Sequence, residues 1–266
     1  MVRDSSVMHI TALLLGLALL TGCSTHPLTG RDQILALPAV QAAYADMDYV
    51  LSTAAQRIVA SCERDCGGTE ELTRFAGRVK TIGTQLEASA RDMSPELFGR
   101  IDRFEIEVNG ALGVGTGSSA RGRIALGSGL AALEPTDTVI AFLIAREMAH
   151  VIARHAEENS GATIVSSALG MLLPGISAIA RFVASTLGSS VLKGSWATQQ
   201  QREADEIAVA LLERTGRSAF SVALGLESGV THARLPDDEW GVRFVESTQR
   251  VALIAASPPR YAVLGD

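Results

Sequence analysis

The chain has 266 residues, 47% of them apolar and 20% charged, with 29 acidic against 23 basic side chains. That apolar share excludes a disordered chain and supplies a sizeable core. A net charge of −6 with only 5% aromatics argues against a nucleic-acid partner, whose binding domains are usually basic.

In chain order, Met1–His9 is polar, with one basic residue, Arg3, offset by Asp4. Ile10–Leu20 is an apolar run too short to cross a bilayer, which needs about 20 apolar residues, and it suits a cleaved signal peptide. Leu20-Thr21-Gly22-Cys23 follows directly and resembles the bacterial lipobox, in which the cysteine is acylated and becomes the first residue of the mature chain. The expected organisation is therefore a signal peptide over 1–22, a lipidated tether over 23–37 and one domain over 38–266. Ser24 is not acidic, which by the same resemblance implies the periplasmic side of the outer membrane. An ordinary signal peptide with a chance cysteine is the alternative. Cys62 and Cys66 stand four apart, and in an oxidising compartment they are expected to form one local disulfide; a free pair is the other reading.

Helices are expected over Pro38–Ser61 and from Thr69 to about Arg91. The alternation of charged and apolar residues in Arg103–Val108 predicts a half-buried strand, and Asn109-Gly110 a turn. Two short strands are expected in Leu112–Thr116 and Arg123–Leu126. Pro135-Thr136-Asp137 opens a long, largely buried helix expected to reach Asn159. Residues 162–180 carry no charge. Pro174-Gly175 in their middle favours two short segments with a bend; a membrane-dipping hairpin is the competing reading. The last pair of helices is expected over Thr198–Arg214 and Trp240–Ala256.

The stretch with chemistry is Arg146-Glu147-Met148-Ala149-His150 on the long helix. Positions 146 and 150 are one turn apart and share a face. In zinc peptidases H-E-x-x-H uses that spacing: two histidines hold the metal and the glutamate activates its water. Downstream comes Gln201-Arg202-Glu203-Ala204-Asp205. With Arg154-His155, with His26-Pro27-Leu28-Thr29-Gly30-Arg31-Asp32-Gln33 and with Gly122–Leu130, the chain resembles the HtpX-like and CAAX prenyl endopeptidase-like zinc metallopeptidases, peptidase family M forty-eight, in their periplasmic lipoprotein branch. The resemblance implies an α+β, mainly helical, gluzincin-type domain with one small sheet beside the motif helix, its edge strand near Arg123–Leu126. It makes Glu147 the general base, His150 a zinc ligand and Asp205 a neighbour of the metal site. It puts the other two ligands where this chain has Arg146 and Gln201. A guanidinium has only donors and cannot hold zinc. His155 lies about 140° around a continuous helix from His150, and Glu203 faces away from Gln201. His232 falls in a polar segment, His26 on the tether, and His9 leaves with the signal peptide.

For Arg146, two arrangements stand open: pairing with Glu147 or Asp205 beside a neutral Gln201, or extension into solvent over a collapsed pocket. The expected function is a catalytically inactive, outer-membrane-anchored lipoprotein without a cofactor, binding peptides or unfolded or outer-membrane proteins in chaperone-like quality control. The alternatives are an active zinc endopeptidase with an unusual ligand set, and a structural lipoprotein docking through residues 162–192.

Overall fold

A computed structural model describes residues 21–26, 28–36, 69–159, 197–232 and 235–257. The expectations for Pro38–Ser61, Cys62, Cys66 and residues 162–180 lie outside these. Two compact units are formed, the first from residues 1–47 and 154–200, the second from 48–153 and 201–266.

In the first unit, strand β1 (Thr21–Thr25) pairs antiparallel with β2 (Asp32–Ala36), Cys23 standing opposite Ile34. The segment read as a tether thus contains a hairpin. Its turn is closed by the main chain, His26 N–H donating to Arg31 O and Gly30 N–H to His26 O. Arg31 forks onto Glu158, Nη1 to Oε1 at 2.8 Å and Nη2 to Oε2 at 2.7 Å. Gln200 Nε2 donates to the same Oε2 at 2.8 Å. Both members of the ion pair are almost fully buried, and the bidentate geometry is that in which arginine and carboxylate fit best. His26, expected on the tether, is buried.

The second unit begins with helix α1 (Thr69–Met93). Phe75, Val79, Ile82, Leu86 and Ala90 are all buried, a spacing of three and four that draws one apolar stripe down the helix. Strands β3 (Glu105–Asn109), β4 (Thr116–Ser118) and β5 (Arg123–Gly127) make a sheet of order β3-β5-β4. β5 runs parallel to β3 and antiparallel to β4. The strand expected at the edge is therefore central. Ile124, Ala125 and Leu126 are wholly buried, as a strand needs when it is paired on both sides and covered on both faces. The edges are β3 and β4, and β4 begins only at Thr116, the last residue of the strand expected over Leu112–Thr116, because Gly110–Leu112 forms a 3-10 turn. Gly122 makes the β4–β5 turn at φ +81, a conformation that favours glycine. At Gly127 a side chain would collide with Gly113 O, whose loop is drawn in by a bond from Gly129 N–H.

Helix α2 (Asp137–Ile152) is buried on nearly every side. Thr136 caps it, Oγ1 accepting from Val139 N–H, and Asp137 sits in the first turn, where a negative charge suits the helix dipole. The helix was expected to run to Asn159. Instead it ends at Ile152, Arg154 takes φ +60, and a new helical segment starts at 155. His155 therefore does not belong to α2, and its expected angular position on that helix does not apply. Helix α3 covers 197–214, close to expectation. Helix α4 (Ala219–His232) was not expected; it ends at His232, which had been read as part of a polar segment. Helix α5 (Glu239–Ala255) is capped by Asp238, whose side chain accepts from Gly241 N–H at 2.9 Å.

Candidate active site

Three helices of the second unit meet around one carboxylate. Arg146 of α2 donates from Nε to Asp205 Oδ1 at 2.8 Å. Its Nη2 donates to Gln201 Oε1. Gln201 and Asp205 are one turn apart on α3, so both present to the same arginine. From α5, Arg250 Nε reaches Asp205 Oδ2 at 2.6 Å, and Ser247 Oγ donates to Oδ1 at 3.1 Å. Arg250 Nη2 in turn donates to Ser247 Oγ at 3.0 Å. Asp205 is fully buried; the side chains of Arg146 and Arg250 are 11% and 21% exposed. One buried anion thus bridges two part-buried cations, and Arg250 has a second, longer pair with the exposed Glu246 at 3.7 Å. The arginine pairs with Asp205, not with Glu147, and it does not extend into solvent.

Glu147, the next residue on α2, is buried and turned toward the sheet. Thr116 Oγ1 donates to its Oε1 at 2.6 Å and Ser118 Oγ to its Oε2 at 2.7 Å. Residues two apart on a strand share a face, so β4 offers one hydroxyl to each oxygen. Bonds from Gly127 N–H to Gly115 O and from Ser119 N–H to Arg123 O fix the β4–β5 ladder. Antiparallel alternation then turns the main-chain groups of Thr116 and Ser118 away from β5, toward an edge with no strand neighbour among the described residues. His150 follows Arg146 by one turn of α2 and is half-buried.

The structure therefore joins Arg146, Gln201 and Asp205 directly, while Glu147 engages the sheet one residue along the same turn. Glu203 is buried, and so is His155 in the first unit. Sequence reasoning missed Thr116, Ser118, Ser247 and Arg250. Ser247 carried a signal: it is a polar residue within the buried stripe of α5 that includes Phe244 and Val251.

The model of peptidase family M48 matches residues 111–249, just over half of the chain, from the loop before β4 into α5. The chain belongs to peptidase family M48. Its metallopeptidase-like fold is carried by the sheet, by α2 with Glu147 and His150, and by α3 with Gln201 and Asp205. No curated protein matches the chain. For this M48 chain, zinc can be tested against the donors present. At the three positions that the sequence resemblance assigns to ligands stand a guanidinium, an imidazole and an amide oxygen already accepting from that guanidinium. Catalytic zinc sites take three protein ligands and a water. Among the described residues no three His, Cys, Asp or Glu side chains are grouped to hold a metal. The donor set does not fit zinc.

Proposed function

We propose that this M48 chain is a non-catalytic member of its family, an acylated lipoprotein on the periplasmic side of the outer membrane that binds extended segments of unfolded or outer-membrane proteins in quality control. The observation that carries the loss of catalysis is Arg146, whose guanidinium is bound to Asp205 and Gln201. It puts a positive charge at a position where the family pattern needs a neutral ligand. Glu147, the general-base position, has both oxygens occupied by hydroxyls of β4. Peptide capture is supported by the outward main-chain groups of Thr116 and Ser118, because adding a strand to a sheet edge requires only unpaired backbone groups. The anchor rests on Leu20-Thr21-Gly22-Cys23 and Ser24. Zinc belongs to the opposite reading, the active endopeptidase.

The test compares the wild type with Arg146→His/Gln201→Glu for zinc content and for cleavage of fluorescein-labelled casein. The wild type is expected to hold no stoichiometric zinc and to cleave nothing. The double variant is expected to bind zinc, since it restores three ligands beside Glu147. Chelator-sensitive cleavage by the wild type would overturn the proposal. Binding is checked with intact casein on Ser118→Pro against Ser118→Ala. Both lose the hydroxyl, but only proline removes an outward N–H, so only proline is expected to weaken capture.

A further inference from the structure

In the second unit, a cavity of about 280 Å³ lies between the first half of α2 and the start of α5. Leu130, Val139, Leu143, Trp240 and Phe244 supply its apolar wall. The rings of Trp240 and Phe244 stack at 5.3 Å with planes 8° apart, forming a continuous aromatic surface. Its mouth is at the surface, where Glu134 and Ser228 line it and are both exposed.

Glu134 is the unusual member. Its backbone is left-handed, φ 47 and ψ 50, although it is not glycine and stands directly before Pro135. Proline disfavours helical conformations in the residue before it, and a left-handed non-glycine residue carries a conformational cost. Such outliers persist where the surroundings fix them, often at ligand contacts. Here the Glu134 N–H is held by Ala131 O at 3.0 Å. The nearby charges leave its carboxylate unmatched. Arg78 donates from Nε to Asp137 Oδ1 and from Nη2 to Pro135 O, both at 2.7 Å. The positive end of α2 is already answered by the Thr136 cap and by Asp137. Glu134 itself makes no ion pair among the described residues.

An apolar chamber, an aromatic wall and a carboxylate without a cation at the mouth are the elements that recognise an ammonium group carrying an apolar body. We propose that this cavity is a binding site for a small apolar amine, its ring or chain against Trp240 and Phe244 and its ammonium at Glu134. The volume lies at the lower edge of ligand pockets, so the occupant is of fragment size, one ring with a short chain. The site is independent of the peptide-binding reading, since it uses neither β4 nor Glu147.

The test is calorimetric titration with ligand-observed NMR on the full chain, using 2-phenylethylamine and 2-phenylethanol, which match in size and differ in charge. The amine is expected to bind about five- to tenfold more tightly at low salt, an advantage that shrinks at high salt as the exposed carboxylate is screened. Glu134→Gln should erase that advantage and leave alcohol binding unchanged. Ser228→Trp, at the exposed mouth, should block both ligands. Both positions are on the surface, and thermal melts verify folding. Equal affinity for the two ligands in the wild type, or no saturable binding of either, would overturn the proposal. So would an amine preference that survives Glu134→Gln.

Discussion

Neutralising Asp205 should destabilise the protein more than removing either arginine that it holds. Asp205→Asn keeps the shape of the side chain, so no cavity forms. What it removes is the one buried carboxylate between Arg146 and Arg250 among the described residues; these are 11% and 21% exposed, and Arg146 is then left with the neutral Gln201 while Arg250 keeps only a 3.7 Å pair with the exposed Glu246. Leaving a nearly buried charge without its partner costs about 3–5 kcal/mol. Arg146→Met differs, because Asp205 keeps Arg250 and Ser247 at 2.6 and 3.1 Å. The loss is then a charge-assisted bond, about 1.5–3 kcal/mol. For a chain of this size each kcal/mol moves the midpoint by about 2–4 °C, so Asp205→Asn should melt at least 6 °C below the wild type. The pair should also be coupled. Arg146→Met/Asp205→Asn should fall short of the sum of the single changes by about 0.5–3 kcal/mol, since the two residues touch. Thermal melts and urea titrations of the four proteins, followed by circular dichroism, give both quantities. If Asp205→Asn were no more harmful than Arg146→Met, or if the two effects simply added, Asp205 would not be the shared counter-ion.

Glu147→Ala should cost about 1–3 kcal/mol, because it strands the hydroxyls of Thr116 and Ser118, and restoring stability by adding Thr116→Val with Ser118→Ala checks that cause in the same melts. Arg31→Ala should free the β1–β2 hairpin, since the fork onto Glu158 is nearly buried; limited proteolysis should then cut near Gly30, where the wild type resists. Cys23→Ala should move the protein from the membrane fraction to the soluble one, and unchanged membrane association would remove the lipid anchor from the proposal.

Helices α1 and α2 were legible because their apolar residues recur at helical spacing or fill the whole segment. Helix α4 was not. Its Phe220, Val222, Leu224 and Leu226 alternate in sequence, and two of the four, Phe220 and Leu224, are 71% and 57% exposed. That pattern has a period of two, and Gly225 and Gly229 weaken it further as a helix. The end of α2 was hidden for another reason. Val151-Ile152-Ala153-Arg154 contains no glycine or proline, so nothing local announces the left-handed Arg154. The unbroken apolar run Ile124-Ala125-Leu126 is what a central strand looks like, yet the family resemblance had cast it as an edge. In the site, Asp205 was one of two partners considered for Arg146, beside Glu147 and against extension into solvent, because spacing placed both on inward helix faces. The partners of Glu147 were invisible: Thr116 and Ser118 lie about thirty residues upstream, and their meeting with α2 depends on tertiary packing.

The hairpin of the first unit has a mechanical meaning for the proposed anchor. Thr21 pairs with Ala36 and Thr25 with Asp32, so the start of β1 and the end of β2 leave the hairpin on the same side. Tension between an acyl group on Cys23 and the chain beyond Ala36 would open this ladder like a zip, one pair at a time, beginning at Cys23 and Ile34. Strands loaded this way yield to small forces, because no two pairs share the load. Peeling Cys23–Thr25 from Asp32–Ile34 would free three residues on each strand and lengthen the leash by about 20 Å at 3.3 Å per residue. Yielding would then stop at the turn, where Arg31 is clamped to Glu158. The hairpin would therefore serve as a short spring with a hard stop, giving slack when the membrane moves and passing larger loads to a buried ion pair.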